Sequence, residues 1–284
     1  MIAISGATGR LGQIIVAVLR ERHPDRPVVA LARDVAKAAP LQAIGAEVRA
    51  FDYDRPDTLG ESLAGVETLL LISGNAVGQR ERQHRAVAEA ARAAGVGLLG
   101  YTSVLRASET SLAIAEEHRL TEAVLAETGV PHVLLRHGWY NENFVFRVKA
   151  AMATGDLPTC AGDGLISGAS RRDYAEAAVA ILTSDRPQAG KVYELAGSSS
   201  YTFTDLAAHA ERIGHRAVAR RDVDRPELEQ YLIEIGLPAF AAAMVVKSDL
   251  GAKAGGLFDD SRTLEAVIGR PTTPVAATLE EALA

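Results

Sequence analysis

The chain is poor in cysteine, in aromatic residues and in long apolar runs. Cys160 is the single cysteine among 284 residues, so no intrachain disulfide can form and no thiol-based zinc cluster can be built. That usage fits a reducing compartment. No stretch reaches the about 18 uninterrupted apolar residues that a membrane-crossing helix needs. A basic excess is also missing. The formal charge is -6, which argues against a nucleic-acid surface. Met1-Ile2-Ala3-Ile4 reads as an apolar strand and lacks the basic opening of a secretory signal. A soluble cytoplasmic protein is expected. With 48% apolar and 23% charged residues, the chain has enough apolar side chain to offset the entropy of ordering.

Alanine is plentiful, and short apolar runs alternate with longer Ala-rich amphipathic segments. That alternation marks a parallel sheet covered by helices. Strands are expected at Ile2–Ser5, Val28–Leu31, Val48–Phe51, Thr68–Ile72, Leu98–Thr102 and His132–Arg136. Helices are expected at Leu11–Arg22, Gln79–Ala94 and Leu112–Glu127, the last two stopped by Gly95 and Gly129. The fold class is therefore α/β: a Rossmann-type doubly wound parallel sheet over residues 1–137. The Gly-punctuated residues 138–284 read as a smaller substrate-side α/β lobe. The chain is expected to cross between the two more than once.

Gly6-Ala7-Thr8-Gly9-Arg10-Leu11-Gly12 follows the first strand and opens the first helix. Absent side chains let the backbone turn sharply and let a pyrophosphate approach the amides. The helix start supplies free N–H donors and a positive dipole end. A tight structural turn is the alternative, and the strand before and helix after favour the phosphate site. A carboxylate usually ends the second strand where NAD binds. Here Ala32-Arg33 stand there, with Asp34 one step later. A guanidinium pairs with a 2′-phosphate that a carboxylate would repel. NADP(H) is therefore favoured, through Arg33 and Arg10. Asp34 keeps dual use open, and a solvated Arg33 is the alternative. Asp52, closing strand three, meets either the adenine edge or its own turn. Ser73-Gly74-Asn75, after strand four, and Thr102, ending strand five, are placed beside the nicotinamide half.

More of the chain carries a resemblance. Ser73–Arg80, Leu134–Asn143 (with the run Gly138-Trp139-Tyr140-Asn141), Ala161–Gly164, Arg172–Ala175, Lys191–Gly197 and Lys253–Ser261 closely resemble the type 2 NAD(P)H:quinone oxidoreductases. These belong to the NmrA-like atypical short-chain dehydrogenases. The likeness runs from Met1 to about Thr273. It implies hydride transfer from NADPH to a small-molecule quinone without flavin or metal, in a cleft between core and lobe. It also implies that His137, Gly138, Trp139, Tyr140, Asn141 and Glu142 surround the cofactor and that Arg171 stands near the substrate mouth. His137 stands where the family usually has Asn. A homodimer is compatible with this reading.

Typical short-chain reductases carry Tyr-x-x-x-Lys on a helix after strand five, the tyrosine donating a proton. Ile114 and His118 stand in the aligned places, and isoleucine donates nothing. A quinone suits that absence, because its reduction product is aromatic and resonance-stabilised, leaving proximity and orientation as the main tasks. Tyr101, His118 and Tyr140 are the candidate catalytic residues. Each has a bland alternative: core aromatics for the tyrosines, a helix-surface histidine for His118. Reduction of another conjugated acceptor, such as a triphenylmethane dye, is a second enzymatic reading. A non-catalytic NADP sensor is a third. Cys160 reads as an incidental thiol, and Arg216, Arg220 and Arg221 as a solvated face.

Overall fold

Apolar runs and amphipathic segments alternate through a computed structural model that describes residues 1–283. The last residue of the expected lobe, 284, lies outside the described residues. In chain order the elements are β1 (Ile2–Ile4), α1 (Arg10–Arg22), β2 (Val28–Ala32), α2 (Ala39–Ala43), β3 (Glu47–Ala50), α3 (Pro56–Ser62), β4 (Thr68–Leu71), α4 (Arg80–Ala93), β5 (Leu98–Val104), α5 (Ala115–Thr128) and β6 (His132–His137). They continue with α6 (Val145–Thr154), β7 (Asp156–Thr159), α7 (Arg171–Leu182), β8 (Val192–Leu195), α8 (Phe203–Gly214), β9 (Ala219–Asp222), α9 (Arg225–Glu234), α10 (Ala239–Lys253), α11 (Thr263–Ile268) and α12 (Val275–Leu283).

The chain divides into two compact units. The first comprises Met1–Ala107, Glu116–His137 and Arg171–Glu194. The second comprises Ser108–Ala115, Gly138–Ser170 and the chain from Leu195 onward.

In the first unit the strands form one sheet in the order β3-β2-β1-β4-β5-β6-β8. Ile4 of β1 pairs in parallel with Ala30 on one side and Leu70 on the other. The strand order reverses between β1 and β4, and such a switch point opens a crevice at the carboxyl ends of the strands. Alternate strand residues face opposite ways. Ala3, Leu69, Leu71, Leu99 and Tyr101 share one core cluster with Leu59 and Leu63 near α3, Val87 and Ala88 of α4, and Val124 and Leu125 of α5. On the other face Gly100 leaves room for Leu182 of α7, whose Cδ2 would stand 2.8 Å from an added Cβ. Ion pairs join α1 to α7: Arg22 to Glu176 at 2.7 Å and Arg172 to Glu21 at 2.7 Å.

The second unit is mostly helical around a short parallel pair, β7 with β9. Neither strand was expected, because Asp-Leu-Pro-Thr and Ala-Arg-Arg-Asp show no apolar alternation. Charge accompanies the pairing instead: Arg221 meets Asp156 at 2.9 Å and Arg220 meets Asp163 at 2.8 Å. The two arginines are thus ion-paired rather than simply solvated. Inside, Arg147 of α6 and Asp249 of α10, both buried, pair at 2.8 Å, and Thr159 donates to the same carboxylate at 2.7 Å. Cys160 packs with Leu228, Leu232, Ala242 and Val246. Burial and the Asp249 charge push its thiol up to about 11, so it is unreactive as a nucleophile.

One helix boundary differs from expectation. The segment Leu112–Ile114 is not helical. The Leu112 amide bonds to the Thr110 hydroxyl at 3.3 Å, and α5 starts only at Ala115. His118 therefore lies on α5, whereas Ile114 precedes it. Among the described residues no helix is long and apolar enough to cross a membrane.

Candidate cofactor and active site

The turn from β1 to α1 is built by its glycines. Gly6 has φ +59°, a left-handed conformation that favours glycine. Its carbonyl accepts the Gly9 amide at 2.9 Å. At Gly12 an added Cβ would overlap the Gly6 carbonyl and stand 2.8 Å from Ala7 Cα, so only glycine lets α1 pass this close. Gly9 caps α1 without a side chain, and no acidic residue occupies the first turn. The helix therefore starts with open N–H donors and no competing negative charge, which suits a phosphate. Ala7 and Leu11 are buried and fasten the turn, with the Ala7 amide bonded to the Leu31 carbonyl at 3.2 Å. Arg10 is exposed.

Gly6, Thr8 and Gly9 line a groove of about 350 Å³. Its next wall is Arg33, Asp34 and Lys37, after β2. The Asp34 carboxylate accepts the Ala36 amide at 3.1 Å and faces the Lys37 ammonium at 3.7 Å. That carboxylate is thus engaged locally. Arg33 also borders a second cavity of about 530 Å³ that it shares with Asp52 and Arg55. Asp52 lines the groove and also accepts the Asp54 amide at 3.1 Å, so both roles expected of it are compatible with the geometry. Hydrogen bonds from Arg82 and Gln83 hold Asp54 below the usual carboxylate range.

Ser73, Gly74 and Asn75 form the third wall. The Ser73 amide bonds to Thr102 Oγ1 at 2.9 Å, which places Thr102 one bond behind the groove. Tyr53 was not anticipated. Its hydroxyl donates to Ser5 Oγ at 2.6 Å, and that oxygen accepts the Ile72 amide at 3.1 Å, tying the ends of β1, β3 and β4 together. Arg80 and His84, also unanticipated, hold Gly74 from α4. Arg80 Nε donates to the Gly74 carbonyl at 2.6 Å, and the Gly74 amide donates to His84 Nε2 at 3.1 Å.

Of the candidate catalytic residues, Tyr101 is fully buried and His118 is 5% exposed. The tyrosine oxygen lies 2.8 Å from His118 Nδ1. Burial raises the Tyr101 hydroxyl to about 12. Burial, aided by the Arg80 charge, lowers His118 to about 3. Both are neutral near pH 7. His137 is buried and stacks on Tyr174 with ring centroids 4.6 Å apart. Burial lowers it to about 3 as well. Arg171 opens α7, half-buried.

The loop Gly138–Glu142 belongs to the second unit. Trp139 and Tyr140 are half-buried, and Tyr140 bridges to Ala169. Asn141 is fully buried. Its amide oxygen accepts from Tyr201 at 2.8 Å, and its nitrogen donates to the Thr273 carbonyl at 3.2 Å. Those partners commit the Asn141 side chain to the packing of its own unit. Glu142 lies in the first turn of a short 3₁₀ segment.

A sheet with this switch point, an open helix start and a cation beside the second strand defines a dinucleotide-binding protein. The family model described as NAD(P)H-binding matches residues 6–185, and the chain belongs to that family. Quinone oxidoreductase 2 of Escherichia coli strain K12 is 46% identical over 97% of this chain and 96% of its own. The crystal structure of an E. coli NADPH-dependent quinone oxidoreductase complexed with NADPH superposes with a TM-score of 0.95, at 45% identity and covering 99% of both chains. That of the Citrobacter sp. triphenylmethane reductase complexed with NADP(H) has a TM-score of 0.95 at 32% identity, covering 100% of both.

Proposed function

We propose that the protein is an NADPH-dependent quinone oxidoreductase. The observation that carries the reading is the near full-length likeness to quinone oxidoreductase 2, together with a groove whose parts suit that cofactor. When bound, NADPH supplies a hydride from its nicotinamide ring. With one proton from solvent, NADPH and a quinone give NADP⁺ and a hydroquinone.

The open amides at the start of α1 hold the pyrophosphate. Arg33, assisted by Lys37 on the same wall, takes the 2′-phosphate; Asp34, paired with Lys37, leaves the Arg33 charge uncancelled. Ser73, Gly74 and Asn75 border the nicotinamide half. We take the Tyr101 hydroxyl as the donor to His118 Nδ1, which puts the proton of that imidazole on Nε2. The Nε2–H is then a fixed donor where standard reductases carry lysine, able to hold a ribose hydroxyl. At about 3, His118 is too weak a base to store a proton at neutral pH. It orients rather than protonates, and the hydroquinone oxygens take their proton from water. Orientation and exclusion of side reactions are the protein's main contributions. Apart from the Asn141 side chain, which its own unit holds, the loop Gly138–Glu142 is assigned to the cofactor and Arg171 to the acceptor by the same reading.

The likeness to the triphenylmethane reductase favours a second acceptor class, the conjugated dye cation. NADPH oxidation followed at its near-ultraviolet band, with benzoquinone and with a triphenylmethane dye, decides between them. A higher kcat/KM for the quinone supports the proposal. Higher kcat/KM for the dye favours the second reading. Saturable NADPH binding with no acceptor-dependent oxidation overturns both.

A further inference from the structure

Gly74 stands in the groove wall with both of its backbone polar groups turned toward α4. Its amide donates to His84 Nε2 at 3.1 Å, and its carbonyl accepts from Arg80 Nε at 2.6 Å. An imidazole nitrogen that accepts a hydrogen bond carries no hydrogen of its own. The hydrogen of His84 is therefore on Nδ1, which lies 2.9 Å from Thr121 Oγ1 of α5. The threonine oxygen in turn lies 3.0 Å from the Glu117 carbonyl. One direction of donation satisfies the whole series: Gly74 amide to His84, His84 to Thr121, Thr121 to Glu117. His84 itself is fully buried.

The glycine is not there for space or for backbone freedom. An added Cβ would find only ordinary contacts, 3.6 Å to Gln83 and 3.7 Å to His84. What constrains this wall is its two hydrogen bonds, both made with side chains of α4, the helix that also contributes Gln83 to the groove lining. The first turns of α4 repeat the theme, since Arg80, Gln83 and His84 are buried polar residues on the stripe that continues as Val87, Ala88 and Ala91. A buried polar residue on an apolar stripe is costly unless each of its groups is paired. Here Arg80 and His84 each pair with Gly74, and Gln83 pairs with Asp54, both residues of the groove lining.

We infer that His84, fixed as its Nδ1–H tautomer by Thr121, is a positioning residue that holds the Gly74 peptide and thereby sets where the nicotinamide ring rests. Its consequence for turnover depends on the reductase reading above; its effect on ring placement does not. Without the imidazole acceptor the Gly74 amide loses its partner, and the Gly74 backbone keeps only the Arg80 bond to its carbonyl, so its orientation is held less firmly. The pyrophosphate cradle, on a different turn, stays intact. Ring placement should fail while binding persists.

Three readouts test this. In the apo protein, nitrogen-15 NMR of labelled histidine should show the His84 ring protonated on Nδ1; protonation on Nε2 overturns the inference. In the second, NADPH emission is titrated for wild type, His84→Leu and His84→Gln. Emission of the reduced ring rises and shifts to the blue when the ring is held away from water. His84→Leu should keep the NADPH Kd within about threefold and lose most of that enhancement. His84→Gln, whose amide oxygen replaces Nε2 as acceptor, should restore it. Thr121→Val, which removes the partner of Nδ1, should lie between. In the third, kcat with benzoquinone should fall about tenfold or more in His84→Leu, with recovery in His84→Gln. Arg147→Met serves as the control for a general loss of stability and should leave the emission unchanged. Wild-type emission in His84→Leu overturns the inference, as does equal emission loss in Arg147→Met or failure of glutamine to rescue. If wild-type protein binds NADPH with enhanced emission but reduces no acceptor, the reductase reading fails, and the emission series still decides the role of His84.

Discussion

Tyr101 Oη and His118 Nδ1 lie 2.8 Å apart, both side chains withdrawn from solvent. The pair joins β5 to α5 and fixes the imidazole by a bond from the strand. Tyr101→Phe removes the bond with little change of shape. The expected cost in stability is about 1–2 kcal/mol, from a buried ring nitrogen left without its partner. NADPH affinity should stay within about twofold, and kcat with a quinone should fall several-fold. Denaturant unfolding and steady-state kinetics check the two parts. An unchanged kcat at lowered stability would make the pair purely architectural.

Three buried histidines set the acid side of the stability profile. His84, His118 and His137 are each lowered to about 3, by burial above all. In the unfolded chain they titrate near the ordinary histidine value of about 6.5. Below that pH the unfolded state binds protons that the folded state does not, so stability falls as pH falls from about 6.5 toward 3. Between pH 7.5 and 5.5 each contributes a loss of about 1.4 kcal/mol, or about 4 kcal/mol for the three. Urea midpoints at pH 7.5, 6.5 and 5.5 should drop in step. A flat profile would mean that the rings protonate in the folded state.

Arg33→Ala tests cofactor choice. A guanidinium bonded to phosphate contributes about 1.5–3 kcal/mol. NADPH binding should weaken about 10-fold to 100-fold, and NADH binding less than about threefold. Equal losses for both nucleotides would remove Arg33 from the 2′-phosphate site. Calorimetry with each nucleotide gives the comparison.

The buried pair of Arg147 and Asp249 belongs to the stability of the second unit. Arg147→Met leaves Asp249 charged and buried, with Thr159 still bonded to it. A loss of about 3–5 kcal/mol is expected, because a stranded buried charge costs more than the pair contributed. NADPH affinity should be unchanged within about twofold. Unfolding curves and titrations on the same preparation separate the two effects.

Much of the first unit was legible because its parts are local. Val28–Ala32 is buried at every residue and reads as a continuous apolar run. The Gly6–Gly12 turn declares its geometry through residues that lack side chains, and Arg33 follows by position. Tyr53 and His84 were not legible as groove residues. Their roles arise where β1, β3, β4 and α4 meet, and single-element periodicity does not see such meetings. A signal was present at α4, whose apolar stripe begins with Arg80, Gln83 and His84. Polar residues on the buried stripe mark the turn of a helix that faces a site. In the second unit, β7 and β9 escaped because ion pairs accompany their pairing in place of apolar alternation, and Asn141 showed its internal partners only once Tyr201 and Thr273 were placed beside it.

Each compact unit is assembled from three separate stretches of one chain. No single crossover in the gene can exchange one unit whole, as it can between proteins whose domains follow one another like beads. The changes that leave such an interleaved chain path intact are point substitutions and exchanges confined to a single loop.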